Sequence, residues 1–492
     1  MPVRPGPLFD CLEPTMSRSM TSSWQIRTPW ILRLVRWIAR AFGAGPPDAS
    51  PRRLIGLAWP IVLSMFGGAA TGAIDVIQVG HLGTAALAAA GLGMTLSFVP
   101  ISVGLGIAAG LRSEASRRAG AKDASRVRLA GQALWLAGIV GLPVVALSPF
   151  AALFVALTGA DGEIATQATA FATIRLVGAP LWFASAGLAA FHSAEERTRT
   201  TMVAQLLACA TQVAGDLVLL EGLGPVPALG LRGAALAGIL GQAVAAAFLA
   251  WRARPALAFG LRPDPGALRA VLRVGLPLGA HNALDVASFA LFASMLVGAG
   301  QVHLAAHLVT ARILSLSFLP GIAVAEATSV LVGRALGAGR PADARAAWAS
   351  GMFVATTGMG AFGLLFVGAP ASLLAPFAVE PSVAVLAGRL LWIAAAFQIL
   401  DAIATVSHAA LVGAGDTRYA MVAGSAVGWF VKLPIAAVLV GPVGLGAVGA
   451  WLGLAVEVAA SAWLTSVRIR SGAWLNAHVP AAPLKVPDLV AA

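Results

Sequence analysis

Charge is scarce in this chain. Asp, Glu, Lys and Arg make up only 11% of its 492 residues, whereas a soluble domain carries about 25%. A water-soluble fold of this size could not cover its surface with so few charges. Cysteine is nearly absent: Cys11 and Cys209 supply neither a disulfide framework nor metal-ligand spacing, and no Cys/His cluster suggests zinc or iron. No GxxxxGK[ST] run occurs, so GAKD (120–123) and GAGD (413–416) read as turns rather than phosphate loops. The absence of HExxH, GxSxG and paired His/Asp patterns argues against an enzyme.

What is abundant is apolar. Hydrophobic residues make up 59% of the chain, the mean hydropathy is +0.85, and there are 55 glycines. Small residues of this kind let membrane helices approach closely. Twelve apolar spans follow one another at roughly 54–79, 88–111, 129–156, 165–191, 200–221, 231–251, 268–297, 304–333, 346–370, 383–412, 419–440 and 445–467. Each approaches the ~20 residues needed to cross the hydrocarbon core. Helices are expected, since a helix satisfies its own backbone groups in lipid.

The net charge of +12 does not point to nucleic acid. All but five of the 33 lysines and arginines lie in the N-terminal segment, the tail or alternate connections. The opposite connections carry Arg232 alone, and Arg175, Arg312, Arg389 and Lys432 fall within spans. By the positive-inside rule both termini are then expected to be cytoplasmic. The six-residue basic set Arg112, Arg117, Arg118, Lys122, Arg126 and Arg128 is assigned to the second connection.

The chain repeats itself. LIGLAWP ending at Pro60, VGHLG and LSFVP ending at Pro100 are answered by VLRVGLP ending at Pro277, VGAGQ and LSFLP ending at Pro320. Six helices per half is an even number, so both halves insert in the same orientation. The fold expected is an all-α integral membrane protein of twelve transmembrane helices in two pseudo-symmetric six-helix lobes. Its divisions are a basic N-terminal extension (1–51), an N-lobe (52–255), a C-lobe (256–474) and a cytoplasmic tail (475–492). Within the extension, residues 24–42 read as a basic amphipathic segment suited to an anionic membrane surface. The other reading is an extension ahead of a true start at Met16 or Met20. No cleavable signal peptide precedes the first span.

Six acids interrupt the apolar spans: Asp75, Asp216, Asp285, Glu326, Asp401 and Glu457. A carboxylate near the bilayer centre costs at least ~2.5 kcal/mol, so it is a candidate for binding a proton, a metal cation or an organic cation. Polar company recurs at helical spacing: Thr71, Asp75 and Gln78; Gln212 and Asp216; His281, Asp285 and Ser288; Asp401, Thr405 and His408. Asn282 belongs to the same polar set. Asp75 follows Pro60 by fifteen residues and Asp285 follows Pro277 by eight. Seven residues is about 10.5 Å of helix, so the two lobes present their acids at different depths. His281, His303, His307 and His408 are either proton carriers or packing residues. Trp59, Trp182, Phe183, Trp392, Phe397 and Trp429 are candidates for a cation-binding wall. Arg312 or Lys432 is a candidate partner for Glu326 or Glu457.

The segments LAWPIVLSM (57–65), AIDVIQVGHLGTAALAA (73–89), RRAGAKDA (117–124), LPLGAHNALDV (276–286), LVGRALGAGR (331–340) and DAIATVSHAALVGAGDTRYAM (401–421) resemble, in order and duplication, the MATE family of multidrug and toxic-compound extrusion transporters. The resemblance covers about residues 52–474. It implies that Asp75 and Asp216 form the N-lobe cation site. It implies that Asp285 and Asp401 are the C-lobe acids of the NorM-like branch. Gln212 stands where many members have Asn, and Gly238 where many have Thr, which argues against a Na⁺ site built from these side chains. Na⁺ remains admissible at Asp285 and Asp401. The implied function is secondary active export of organic cations by H⁺ or Na⁺ antiport, with Glu326 a supporting polar residue. No cofactor beyond the coupling ion is expected, and no nucleic-acid partner. A monomer is expected, since the cavity lies within one chain. The alternative is a flippase for a lipid-linked oligosaccharide or lipid of the same superfamily. Such a carrier would need cavity arginines for pyrophosphate.

Overall fold

A computed structural model describes residues 51–222 and 227–476. The amphipathic segment 24–42, Met16, Met20 and most of the extension and tail lie outside the described residues. Twelve helical spans emerge: α1 (Pro51–Gly80), α2 (Thr84–Gly120), α3 (Ala124–Ala156), α4 (Gly162–Val177 with Ala179–Ala194), α5 (Thr198–Leu219), α6 (Leu231–Arg252), α7 (Pro265–Ala299), α8 (Gln301–Gly337), α9 (Pro341–Gly368), α10 (Pro381–Ala414), α11 (Thr417–Val440) and α12 (Gly446–Arg470). The fourth is not one rod: its two segments meet at a 47° bend, at Gly178 and just before Pro180.

Local chemistry sets the helix ends. Prolines open α1, α7, α9 and α10, where a missing N–H costs nothing. Asp264 caps α7 by accepting from the Gly266 and Ala267 amides at 3.0 and 3.1 Å. The repeat is visible in the backbone. Gly83 precedes α2 with φ of 103°, and Gly300 precedes α8 with φ of 112°, a conformation that favours glycine. Beyond its apolar run α2 continues to Gly120, because Glu114 pairs with Arg117 and, at 2.8 Å, with Arg118 one turn on. Of the six basic residues assigned to the second connection, Arg112, Arg117 and Arg118 therefore lie inside α2 and Arg126 and Arg128 in the first turns of α3, which leaves Lys122 in the connection itself.

The lobes meet at the end that carries the basic connections. Leu54, Leu57 and Ala58 at the start of α1 pack into a cluster with Ala327 and Leu331 of α8. Reciprocally, Ala267 and Val271 at the start of α7 join Ile107 and Leu111 of α2. Gly120 lies against the Arg334 carbonyl and Gly337 against the Arg117 carbonyl, a two-fold exchange between the matched helices. At the opposite end the clusters stay within a lobe: Val79, Ala86 and Phe171 in one, Phe292, Leu296 and Leu391 in the other.

Glycine makes the α2–α7 contact. A Cβ at Gly106 would strike the Gly279 backbone, and one at Gly110 would come within 2.6 Å of the Gly275 Cα. Gly106→Leu is expected to destabilise the detergent-solubilised protein by about 1–3 kcal/mol through overpacking. Gly138→Leu, facing open space, serves as the control. Equal thermal midpoints for the two variants in a size-exclusion melt would refute this contact.

The link between the lobes is held by α3. The fully buried Gln132 side chain donates to the Gly260 and Arg262 carbonyls at 3.2 and 2.9 Å and accepts from the Asp264 amide at 2.9 Å.

Candidate functional site

Two cavities lie along the pseudo-symmetric core. The central one, about 670 Å³, is bounded by α1, α2, α4 and α5 of the first lobe and by α7, α8 and α10 of the second. The other, about 660 Å³, lies inside the second lobe among α7, α8, α10, α11 and α12. Ile322, Thr405 and His408 line both, so α8 and α10 form the partition between them.

The C-lobe cavity gathers most of the residues expected there. Asp285 and Asp401 face it, joined by Glu457 from α12. His281 and His408 stack across it with ring centroids 5.4 Å apart, and His281 Nδ1 is 3.1 Å from the Ser425 hydroxyl. Ser288 shares the Asp285 stripe by spacing, yet it is fully buried and donates to the Asp285 carbonyl at 3.0 Å. Glu457 forms an ion pair with Lys432 of α11 at 3.2 Å.

The aromatic wall differs from the expectation. Of the six aromatics named from sequence, Phe397 alone lines this cavity; Phe289, Phe318 and Trp451 complete it. Trp392 is 57% exposed on the outer surface, Trp59 lies under Arg199, and the Trp429 indole donates to the Leu284 carbonyl. Phe183 packs against Gly104. Aromatic composition does not reveal which helix face a ring occupies, so the sequence carried no signal for the rings that were missed. His307 accepts from the Trp451 indole at 3.2 Å, and His303 accepts from the Ala447 amide at the start of α12. His303 is thus a cap.

Glu326 falls elsewhere. It lines the central cavity and pairs with Arg112 of the opposite lobe, neither with Arg312 nor with Lys432. Beside it, Asn282 donates to the Ser102 carbonyl of α2 at 3.3 Å, a second link between lobes. Ser113 of α2 donates to the Val412 carbonyl of α10 at 2.8 Å. Arg334 pairs with Glu196 at 2.9 Å and donates to the Ala194 carbonyl at 2.8 Å. Arg112 was missed because the hydropathy of its span ends one residue before it.

The N-lobe acids form their own group. Asp75 and Asp216 lie within electrostatic reach of each other, and Arg175 within reach of Asp75. Neither acid lines either large cavity. Asp216 is fully buried, with no hydrogen bond to its carboxylate among the described residues. The Arg175 Nε donates to Ser97 at 3.0 Å. Thr71 turns back to the Gly67 carbonyl at 2.9 Å. Gln212 does face Gly238, 3.9 Å from where a Cβ would stand. The Gln78 carbonyl oxygen is buried without a partner among the described residues. Among those residues, no three His, Cys, Asp or Glu side chains converge as a metal cage would require.

Twelve spans in two lobes, with one cavity at the lobe interface and a second inside a lobe, define a polytopic membrane transporter. A family model described as MatE matches residues 60–218 and 277–438. The chain is 32% identical over 437 residues to a probable multidrug resistance protein NorM of Pseudomonas putida, covering 85% of this chain and 93% of that one. It is 30% identical to a NorM-named protein of Mesorhizobium japonicum, covering 88% and 95%. A MOP superfamily transporter from Pyrococcus furiosus shares the fold with a TM-score of 0.79, at 22% identity over 87% and 96% of the two chains. The chain belongs to the MatE family. It is a membrane transporter and not an enzyme.

Proposed function

We propose that this chain is a secondary active exporter of organic cations of several kinds, working by H⁺ or Na⁺ antiport. The observation that carries the reading is the C-lobe cavity, where Asp285, Asp401 and Glu457 stand among Phe289, Phe318, Phe397 and Trp451. Carboxylates and aromatic faces both attract a lipophilic cation, and each does so more strongly away from water. Burial raises the proton affinity of a carboxyl in general, so such a site exchanges a coupling ion for a cationic substrate. Asp75 and Asp216 act as a second acid pair in the other lobe, with Gln78, Gln212 and Thr71 as supporting groups. In the C-lobe the supporting groups are His281, Ser288, Thr405 and His408.

Alternating access follows from where the lobes touch. They are joined at the end that carries the basic connections. With that end cytoplasmic, as the positive-inside rule places it, the conformation is outward-facing. Binding of the coupling ion would then favour the swing that parts the inner contacts. The chain works in the bacterial inner membrane as a monomer. The flippase reading gains nothing from Arg112, because Glu326 already engages its guanidinium in the central cavity.

Proteoliposomes test the proposal. Ethidium export is expected to rise on an imposed ΔpH or Na⁺ gradient, and no labelled lipid-linked sugar should cross. Export indifferent to both gradients would defeat the antiport reading. Lipid-carrier translocation without cation export would install the flippase.

A further inference from the structure

We infer that Lys432 is a resident cation of the C-lobe site, a specificity residue that reserves its carboxylates for protons and excludes Na⁺. The inference deepens the antiport reading by naming the coupling ion at one lobe. Lys432 is fully buried in the membrane-spanning part of α11. Its Nζ lies 3.2 Å from Glu457 and 4.0 Å from the centroid of Phe289, whose ring also lines the cavity.

The backbone is shaped around this contact. Gly428–Lys432 forms a π-helical turn, a local widening that often marks functional sites. Gly428 leaves room for Glu457, since a Cβ there would stand 3.3 Å from its carboxylate oxygen. Gly453 of α12 admits the Lys432 carbonyl, 3.2 Å from where its own Cβ would be. Neither feature serves a lipid-facing lysine, whose ammonium would run to the interface.

Of the charged and titratable groups that line the cavity, Glu457 of α12 and His281 of α7 lie within electrostatic reach of Lys432. The others on its walls are Asp285 of α7, His307 of α8, and Asp401 and His408 of α10. A dehydrated alkali cation needs several oxygen ligands at once. In this site it would compete with Lys432 for Glu457 and would sit beside a fixed like charge, poorly screened. A proton needs one oxygen lone pair and no coordination shell. The resident charge opposes both ions electrostatically, but it also withholds Glu457 from the shell that Na⁺ needs, a loss that protonation of Asp285 or Asp401 does not suffer.

Binding of radiolabelled Na⁺ to the purified full-length protein tests this without requiring transport. Wild type is expected to show no saturable Na⁺ binding that Asp285→Asn abolishes. Lys432→Met or, should that variant not fold, Lys432→Gln is expected to gain such binding by roughly tenfold or more, the scale of a neighbouring unit charge on ion affinity. Lys432→Arg should keep the exclusion, and Lys432→Met combined with Glu457→Gln should lose the gain. Asp285-dependent Na⁺ binding by wild type would overturn the inference, as would a folded Lys432→Met or Lys432→Gln protein that gains none. Failure of wild type to export ethidium on any gradient would instead strike the antiport reading, and the binding result would still decide the role of Lys432.

Discussion

Asp401→Asn is expected to reduce gradient-driven ethidium efflux by roughly tenfold or more, the consequence of losing about 1.4 kcal/mol of coupling interaction. Asn keeps the shape of the side chain and removes its capacity to exchange a proton or cation. Asp401 shares a stripe of α10 with Thr405 and His408, and all three face the C-lobe cavity opposite Asp285 and Glu457. Its helix is anchored independently of the acid. Gln398, one turn earlier and fully buried, donates to Ser317 of α8 at 2.8 Å, and the Trp348 indole of α9 donates to Ser407 at 3.3 Å. The variant should therefore fold, and its thermal midpoint should stay near that of wild type while efflux collapses. Asp75→Asn provides the comparison in the other lobe. Near-normal export in both variants would remove the acids from the mechanism.

Glu326→Gln is expected to part the lobes at the basic end. The pair with Arg112 crosses the central cavity, and both side chains are largely buried. Removing one partner leaves the other charge unpaired, which costs about 1–3 kcal/mol in this part-buried setting. Opening the interface relieves that cost by hydrating Arg112. A bias of that size changes a two-state ratio by roughly tenfold or more. Spin labels at Lys122 and Arg340, two exposed positions in connections of opposite lobes, report the opening. Wild type with Cys11 and Cys209 replaced should give one short distance, and Glu326→Gln a longer or broader distribution. The reversed pair, Arg112→Glu with Glu326→Arg, should restore the short one. An unchanged distribution in Glu326→Gln would show that apolar contacts such as Leu57 with Leu331 hold the lobes by themselves.

Much of the fold could be read along the chain because a membrane helix is nearly a local object. Length, hydropathy and the spacing of basic connections locate it without knowledge of its neighbours. Both repeats, the matched glycines before α2 and α8, and the stripe from Asp401 to His408 are local in this sense. The bend in α4 is a partial exception. Gly178 and Pro180 were there to be read, but hydropathy runs through them without a break.

The sequence by itself determined a twelve-span, two-lobed membrane protein with carboxylates where lipid would forbid them unaccompanied. Only the tertiary structure decided who accompanies them. Arg112 and Glu326 are 214 positions apart, and nothing in either span specifies that they meet. Lys432 stood in the sequence beside Arg312 as a candidate partner for Glu326 or Glu457, and the choice of Glu457 was made by a π-turn and two glycines on facing helices. Pairings of this kind depend on how each helix is rotated about its axis and which lobe it faces. Packing of all twelve spans sets those rotations together, and hydropathy, which is the same for any rotation, does not encode them.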